Sequence, residues 1–210
     1  MKDRQKIKAF LKKIHLLSIA YCLLRIFGFF KKILTACSFY FYNSFLTKFP
    51  SYTLRIFYLR KIIGIEIGKN TSIHMGCFFA GKNIKIGNNN VIARNCHLDG
   101  RVGLIKIMNN VSIAPETCII SLTHLVNSPT FETVAKEVII EDYVWIGTRA
   151  MILPGTKMGE GSVLGAGSTA TKELQPYSVN VGSPAKEIGK RNNNLNYSLD
   201  YFPYFNSDIQ

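Results

Sequence analysis

The chain is short of acid: 13 Asp and Glu stand against 26 Lys and Arg, a formal net charge of +13 over 210 residues. The deficit is local. Residues 1–61 hold a single acid, Asp3, against thirteen Lys or Arg, which leaves thirteen basic residues and twelve acids for the remainder. A basic excess confined to one segment, beside a nearly neutral body, argues against a nucleic-acid-binding domain. No apolar run is long enough to span a bilayer either. Ile14–Leu24 and Ile33–Thr47, broken by Arg25, Lys31 and Lys32, fall short of the ~18–20 residues required. Cysteine is sparse and unpaired in pattern: Cys22, Cys37, Cys77, Cys96 and Cys118 are odd in number and show no C-x-x-C spacing. That excludes a disulfide framework and a ribbon-type zinc site, and fits a reduced compartment. Of four histidines, His74, His97 and His124 lie far apart without a close His pair, so no metal is expected; His15 sits in the basic segment.

Residues 1–61 are nevertheless apolar and aromatic between their charges. Two readings of this extension stand: a helical cap over one end of the domain that follows, or a segment lying on an anionic membrane surface. A signal peptide ranks below both, because no A-x-A-like site follows Ile14–Leu24. Leu34-Thr35-Ala36-Cys37 resembles a lipoprotein box, but it sits behind Lys31 and Lys32.

From residue 67 an aliphatic or aromatic side chain recurs every sixth position. The series runs Ile67, Ile73, Phe79; Ile86, Ile92, Leu98; Ile107, Ile113, Ile119; Ile140, Ile146, Ile152; Met158, Leu164, Ala170. Such a period predicts a solenoid of about five coils, three hexads to each. Gly68, Gly87, Ala93, Ala114, Gly147, Gly159 and Gly165 follow these positions, as sharp turns would require. The gap from Ile119 to Ile140 is too long for a turn, so residues 121–138 leave the coil as a loop, a place where function concentrates. The predicted domain spans 62–191, and an aromatic tail without motifs covers 192–210.

Within it, Val144-Trp145-Ile146-Gly147, Leu153-Pro154-Gly155, Gly165-Ala166-Gly167-Ser168, Thr171-Lys172 and Gly182-Ser183-Pro184-Ala185-Lys186 occur in order. This series resembles the hexapeptide-repeat acyltransferases, in the maltose/galactoside acetyltransferase-like branch that includes capsule and exopolysaccharide O-acetyltransferases. The resemblance implies an all-β left-handed parallel β-helix, an exception to the right-handed crossover rule. It also implies a homotrimer with acetyl-CoA bound between neighbours and no metal. The expected function is acetyl-CoA-dependent O-acetylation of a sugar hydroxyl on a glycan or its precursor, in the cytoplasm at the inner membrane face. N-acetylation of an amino sugar on a nucleotide or lipid carrier is the alternative, and a non-catalytic scaffold ranks below it.

His124 falls in Ser121-Leu122-Thr123-His124-Leu125, where the family places its catalytic base, although Leu125 replaces the family's Asp and leaves open what orients the ring. Histidine suits the task because its ordinary titration lies nearest neutral pH. Asp99, after the inward Leu98 and before Gly100, has two readings: a turn former, or an acid facing the acceptor or the histidine. Arg94 and Asn95 are acceptor-side candidates. The resemblance assigns Trp145, Gly147, Thr148, Ala166 and Thr171 to the pantetheine and adenine path, and Lys172, Lys186, Lys190 and Arg191 to the CoA phosphates.

Overall fold

The computed structural model describes residues 2–206, with side chains at Tyr21 and from Leu24 to Phe205; those of His15 and Cys22 lie outside this range. Two units are distinct, residues 1–40 and 41–210. The first holds most of helix α1 (Lys2–Ser44). Apolar and basic side chains alternate irregularly along it, so that Leu24, Ile26, Phe27, Phe29, Phe30 and Leu34 are all exposed.

The second unit is a parallel solenoid of three faces. Face I stacks Glu66–Ile67, Ile84–Ile86, Ile105–Ile107, Val138–Ile140 and Lys157–Met158; face II stacks Ser72–Ile73, Val91–Ile92, Ser112–Ile113, Trp145–Ile146 and Val163–Leu164. Face III stacks Phe78–Ala80, His97–Asp99, Cys118–Ile120, Met151–Ile152 and Thr169–Ala170. Register follows the hexads: Ile73, Ile92, Ile113, Ile146 and Leu164 are successive partners, as are Phe79, Leu98, Ile119, Ile152 and Ala170. Except for half-buried Ile67, every residue of the series is buried.

There are about six turns rather than five. Leu174 bridges Met158 on face I, and Ser178–Val181 pairs with Val163–Leu164 on face II, beginning a sixth coil. Lys186–Lys190 then returns antiparallel and ends it. The sixth turn escapes the hexad period because it is shorter and places Asn180 in the column of Ile73; its amide is buried against the Val163 carbonyl and the Ser178 hydroxyl.

The edges turn on residues other than those expected. Between faces I and II each coil has one residue in the left-handed region: Asn70, Asn89, Asn110, Tyr143, Gly161 and Tyr177. Asn tolerates that conformation better than other non-glycine residues. The glycines that directly follow the hexads serve close stacking instead. A Cβ on Gly147 would lie 2.5 Å from the backbone nitrogen of Ala166 in the next coil.

A parallel coil leaves its first strand on each face with unpaired carbonyl and amide groups. Residues 41–63 close this end with side chains. Asn43 Nδ2 donates to the Phe79 carbonyl at 2.9 Å while its Oδ1 accepts from the Phe79 amide at 3.0 Å. On face II, Arg55 Nη2 donates to the Ile73 carbonyl at 2.8 Å, and on face I, Arg60 Nε donates to the Ile67 carbonyl at 2.9 Å. Arg55 is fully buried, also donating to the Phe49 carbonyl and lying 4.7 Å from the Tyr52 ring. The tail packs back on its own unit: Tyr52 donates to the Pro203 carbonyl at 2.9 Å, and the His74 ring meets both Tyr52 and Tyr201.

Losing a buried charged donor exposes its acceptors to an apolar surrounding. Arg55→Met is therefore expected to lower the unfolding free energy by about 2–3 kcal/mol. Arg60→Met, at an exposed side chain, should lower it by less than ~1 kcal/mol. Urea unfolding of the two variants measures the contrast, and equal losses would refute a role for burial.

Candidate functional site

Coil three ends at Ser121, and there the chain leaves the solenoid. Ser121 is buried, and its hydroxyl oxygen lies 2.8 Å from the carbonyl oxygens of both Asp99 and Gly103, which share its one proton, while its amide donates to the Asp99 carbonyl at 3.1 Å. From that anchor Leu122–His124 runs out and Thr133–Ala135 returns as an antiparallel pair, His124 opposite Thr133.

His124 Nδ1 lies 3.1 Å from the Phe131 carbonyl oxygen. A carbonyl only accepts, so in the neutral ring Nδ1 carries the proton and Nε2 keeps its lone pair. Thr133 Oγ1 stands 3.5 Å from the same nitrogen. The Phe131 ring stacks on the imidazole with centroids 3.8 Å apart and an interplanar angle of 15°. Phe131 itself is in the left-handed region at φ 52°, a conformation that a bulky side chain rarely adopts. Ser128 holds this tip: its carbonyl accepts from the Phe131 amide, and its hydroxyl accepts from the amides of Thr130 and Glu132. What orients the imidazole is thus a backbone carbonyl seven residues away. No spacing rule in the sequence pointed to Phe131.

Asp99 is directed elsewhere. Its carboxylate accepts a fork from Arg101, Nε at 2.9 Å and Nη2 at 2.8 Å, and the Arg101 backbone amide at 3.2 Å. Burial pushes the carboxyl up, but Arg101 outweighs it and holds the group below the usual carboxylate range. Arg94 and Asn95 sit at the edge between faces II and III. Asn95 is left-handed there, in line with Gly76, Glu116, Arg149 and Gly167.

The cofactor candidates divide between edges. Thr148 and Ala166 occupy the edge between faces II and III, with exposed Trp145 on face II beside it. The Gly147 amide already donates to the Leu164 carbonyl at 2.7 Å, so it is engaged within the coil. Thr171 and Lys172 lie at the edge between faces III and I, the edge from which the His124 loop emerges two coils earlier. Lys172 and Lys186 line one cleft with Leu174 and Ala185. Lys190 pairs with Glu187 at 2.9 Å. Arg191 is held at the remaining edge, donating to the Tyr143 carbonyl at 3.0 Å and the Tyr197 hydroxyl at 3.2 Å. Face III, with Phe78, His97, Cys118, Met151 and Thr169 pointing outward, joins the two edges that carry the other candidates.

Among the described residues no group of three or more His, Cys, Asp or Glu is placed to hold a metal. His74 lies among aromatic rings and His97 stacks on Phe78. Cys77 and burial push the Cys96 thiol up, and burial does the same to Cys118, which disfavours either thiolate.

Residues 137–172 match the family model described as bacterial transferase hexapeptide (six repeats). That stretch is the fourth and fifth coils of the solenoid, from Val138–Ile140 to Thr169–Ala170. A provisionally named acetyltransferase of Schizosaccharomyces pombe is 38% identical over 120 residues, 55% of this chain and 57% of its own. The chain thus spans a little over half the length of the curated relatives it matches. Among solved structures, a hexapeptide-repeat acetyltransferase from Vibrio cholerae complexed with acetyl coenzyme A aligns at TM-score 0.67 and 25% identity, covering 76% of this chain and 86% of that one. A maltose O-acetyltransferase from Clostridium difficile aligns at 0.60 and 28%, covering 75% and 84%. An N-acyltransferase from Bacillus cereus, in a mutant form with dTDP and coenzyme A, aligns at 0.58 and 26%, covering 61% and 74%.

The Asp99 geometry fixes the sign of a pH effect. A carboxyl lowered by folding stabilises the fold above its unfolded value of ~3.9 and loses that contribution as pH falls through the lowered one. Asp99→Asn should therefore be less stable than wild type near neutral pH and should converge on it as pH falls below the unfolded value of ~3.9 and through the lowered one. Thermal unfolding across this range measures the gap. A gap independent of pH would assign the loss to packing instead.

Proposed function

We propose that the protein transfers an acetyl group from acetyl-CoA to a sugar hydroxyl of a glycan or glycan precursor, with His124 as general base and no covalent intermediate. The observation that carries this reading is the 3.1 Å contact between His124 Nδ1 and the Phe131 carbonyl, which makes Nδ1 the donor in the neutral ring and leaves Nε2 to accept a proton. Nε2 takes the hydroxyl proton as the oxygen attacks the thioester carbonyl carbon. The C–S bond then breaks, and the imidazolium returns that proton to the leaving thiolate of CoA. The positive charge on the ring in between is stabilised by the Phe131 carbonyl and by the aromatic face stacked on it. Backbone N–H groups stabilise the oxyanion. Those of Gly147 and Gly165 already donate to Leu164 and Asn180, so the donor comes from a corner or loop amide.

Lys172 and Lys186 meet the CoA phosphates from their shared cleft, with Trp145, Gly147, Thr148, Ala166 and Thr171 along the pantetheine. Lys190 and Arg191 take a smaller part, since each already has a protein partner. A homotrimer completes the groove, and Arg94, Asn95 and the Asp99–Arg101 pair face the acceptor. Free thiols at Cys37, Cys77, Cys96 and Cys118 fit a cytoplasmic setting. An amino-sugar acceptor is the second reading, favoured by the likeness to the Bacillus cereus N-acyltransferase, and the same base serves either nucleophile.

His124→Ala is expected to lower turnover by ~10²–10⁴-fold while leaving CoA affinity nearly unchanged. Thiol release from acetyl-CoA against a panel of sugars and amino sugars provides the measurement, and turnover within about threefold of wild type would end the mechanism. Phosphate contacts act far from the reacting carbon. Lys172→Ala and Lys186→Ala should therefore raise the acetyl-CoA KM more than they lower kcat, and should do so less for a short pantetheine thioester. Equal losses with both donors would move these lysines off the phosphates.

A further inference from the structure

We infer that the segment preceding the solenoid docks the protein on an anionic lipid surface. Between Asp3 and Glu66 the chain has no carboxylate side chain. In the first unit, Leu24, Ile26, Phe27, Phe29, Phe30 and Leu34 are exposed alongside Arg25, Lys31 and Lys32. The same chemistry recurs in the second unit, where Phe45, Phe49, Phe57 and Ile62 are exposed with Lys48 and Lys61.

The distribution selects the occupant. Successive helical residues point 100° apart, so exposed Ile26, Phe27, Phe29, Phe30, Ile33 and Leu34 share one broad face of α1, with Arg25 and Lys32 on the other side. The same helix of a second copy would cover that face but would set cation against cation, since residues 4–65 hold no carboxylate. Nucleic acid would satisfy the cations and leave the rings uncovered. A headgroup layer takes both: the rings enter the acyl boundary, and the long stems of Arg25, Lys31 and Lys32 carry their charges up to lipid phosphates. No described helix is long and apolar enough to cross a membrane, so the contact is interfacial. A cavity of roughly 790 Å³ between α2 (Tyr52–Tyr58) and the tail, lined by Arg60, Lys61, Lys69, Phe57, Phe202 and Tyr204, has the composition to admit a phosphate headgroup with adjoining apolar chain.

The test is sedimentation of the full chain with vesicles of phosphatidylglycerol and phosphatidylcholine, and with phosphatidylcholine alone. Binding should require the anionic lipid and weaken as salt is added. The triple variant Arg25→Gln, Lys31→Gln, Lys32→Gln should partition roughly a hundredfold more weakly, the combined effect of three surface cations. Phe27→Ser with Phe30→Ser should lose at least about tenfold, from the apolar area withdrawn. All five positions are exposed, so the fold survives these changes. Failure to bind anionic vesicles, or variants that bind like wild type, overturns the inference. Equal, salt-insensitive binding to neutral vesicles overturns it in favour of a hydrophobic anchor. Self-association without lipid, abolished by the phenylalanine pair, overturns it in favour of a second copy. No acetyl donor or sugar is present in this assay, so its failure leaves the proposed reaction untouched, and failure of the reaction leaves this result standing.

Discussion

Strands of two or three residues hold nothing alone, so the coil-to-coil ladder is the constraint on which the rest of this structure depends. Each strand buries one hexad side chain and hands its amide and carbonyl groups to the coils above and below. An edge without a neighbour therefore fails at every face at once. That is why the N-terminal end carries a separate polar side chain for each face: Asn43 on Phe79, Arg55 on Ile73, Arg60 on Ile67. Asn43 supplies both a donor and an acceptor and so stands in for a missing strand residue. At the far end the chain turns its last strand, Lys186–Lys190, antiparallel against Ser178–Val181 and stops the parallel stack.

The same rigidity shapes the candidate site. A coil whose amides are engaged with its neighbours has few polar groups to offer a reaction, and its hexad side chains from Ile67 to Ala170 form apolar columns. Chemistry is confined to edges and to the one excursion long enough to present a side chain away from the stack. Ser121 ties the base of that excursion to coil two through Asp99 and Gly103, and the hairpin beyond it carries His124 opposite Thr133. The imidazole is oriented by its own loop, through the Phe131 carbonyl and ring. The coil fixes where the loop starts, and the loop fixes which nitrogen is free.

This division explains how much could be read from sequence. The columns Ile73 to Leu164 and Phe79 to Ala170 were legible because burial of one side chain in six imposes a strict period. The sixth turn was not, since Asn180 satisfies its column by hydrogen bonding rather than apolarity. Arg55 and Arg60 read as two more charges in a basic segment, because capping depends on which carbonyls lie within reach. The glycines after the hexads were correctly located and wrongly explained: Gly147 avoids the Ala166 backbone, while Asn70, Asn89 and Asn110 make the turns. The excursion that carries His124 was marked by the break in period, but the contact with Phe131 was not, since hairpin register within a short irregular loop has no periodic trace. Arg191, grouped by sequence with Lys186 and Lys190, points to another edge because the antiparallel return carries it back along face II to Tyr143.

Because each coil touches only its neighbours, a disturbance at the cap reaches the loop after coil three through two intervening interfaces. Coupling between the ends of such a stack is weak unless the whole stack unfolds. Residues 41–63 are consequently bound by stability: Arg55 and Asn43 cannot change without leaving carbonyls bare. Residues 1–40 form a separate unit. The boundary between the two units falls at Tyr40. The acid-free stretch crosses that boundary unchanged, and coil stability alone does not require this, since a surface carboxylate among Phe45, Lys48 and Phe57 would cost the ladder nothing.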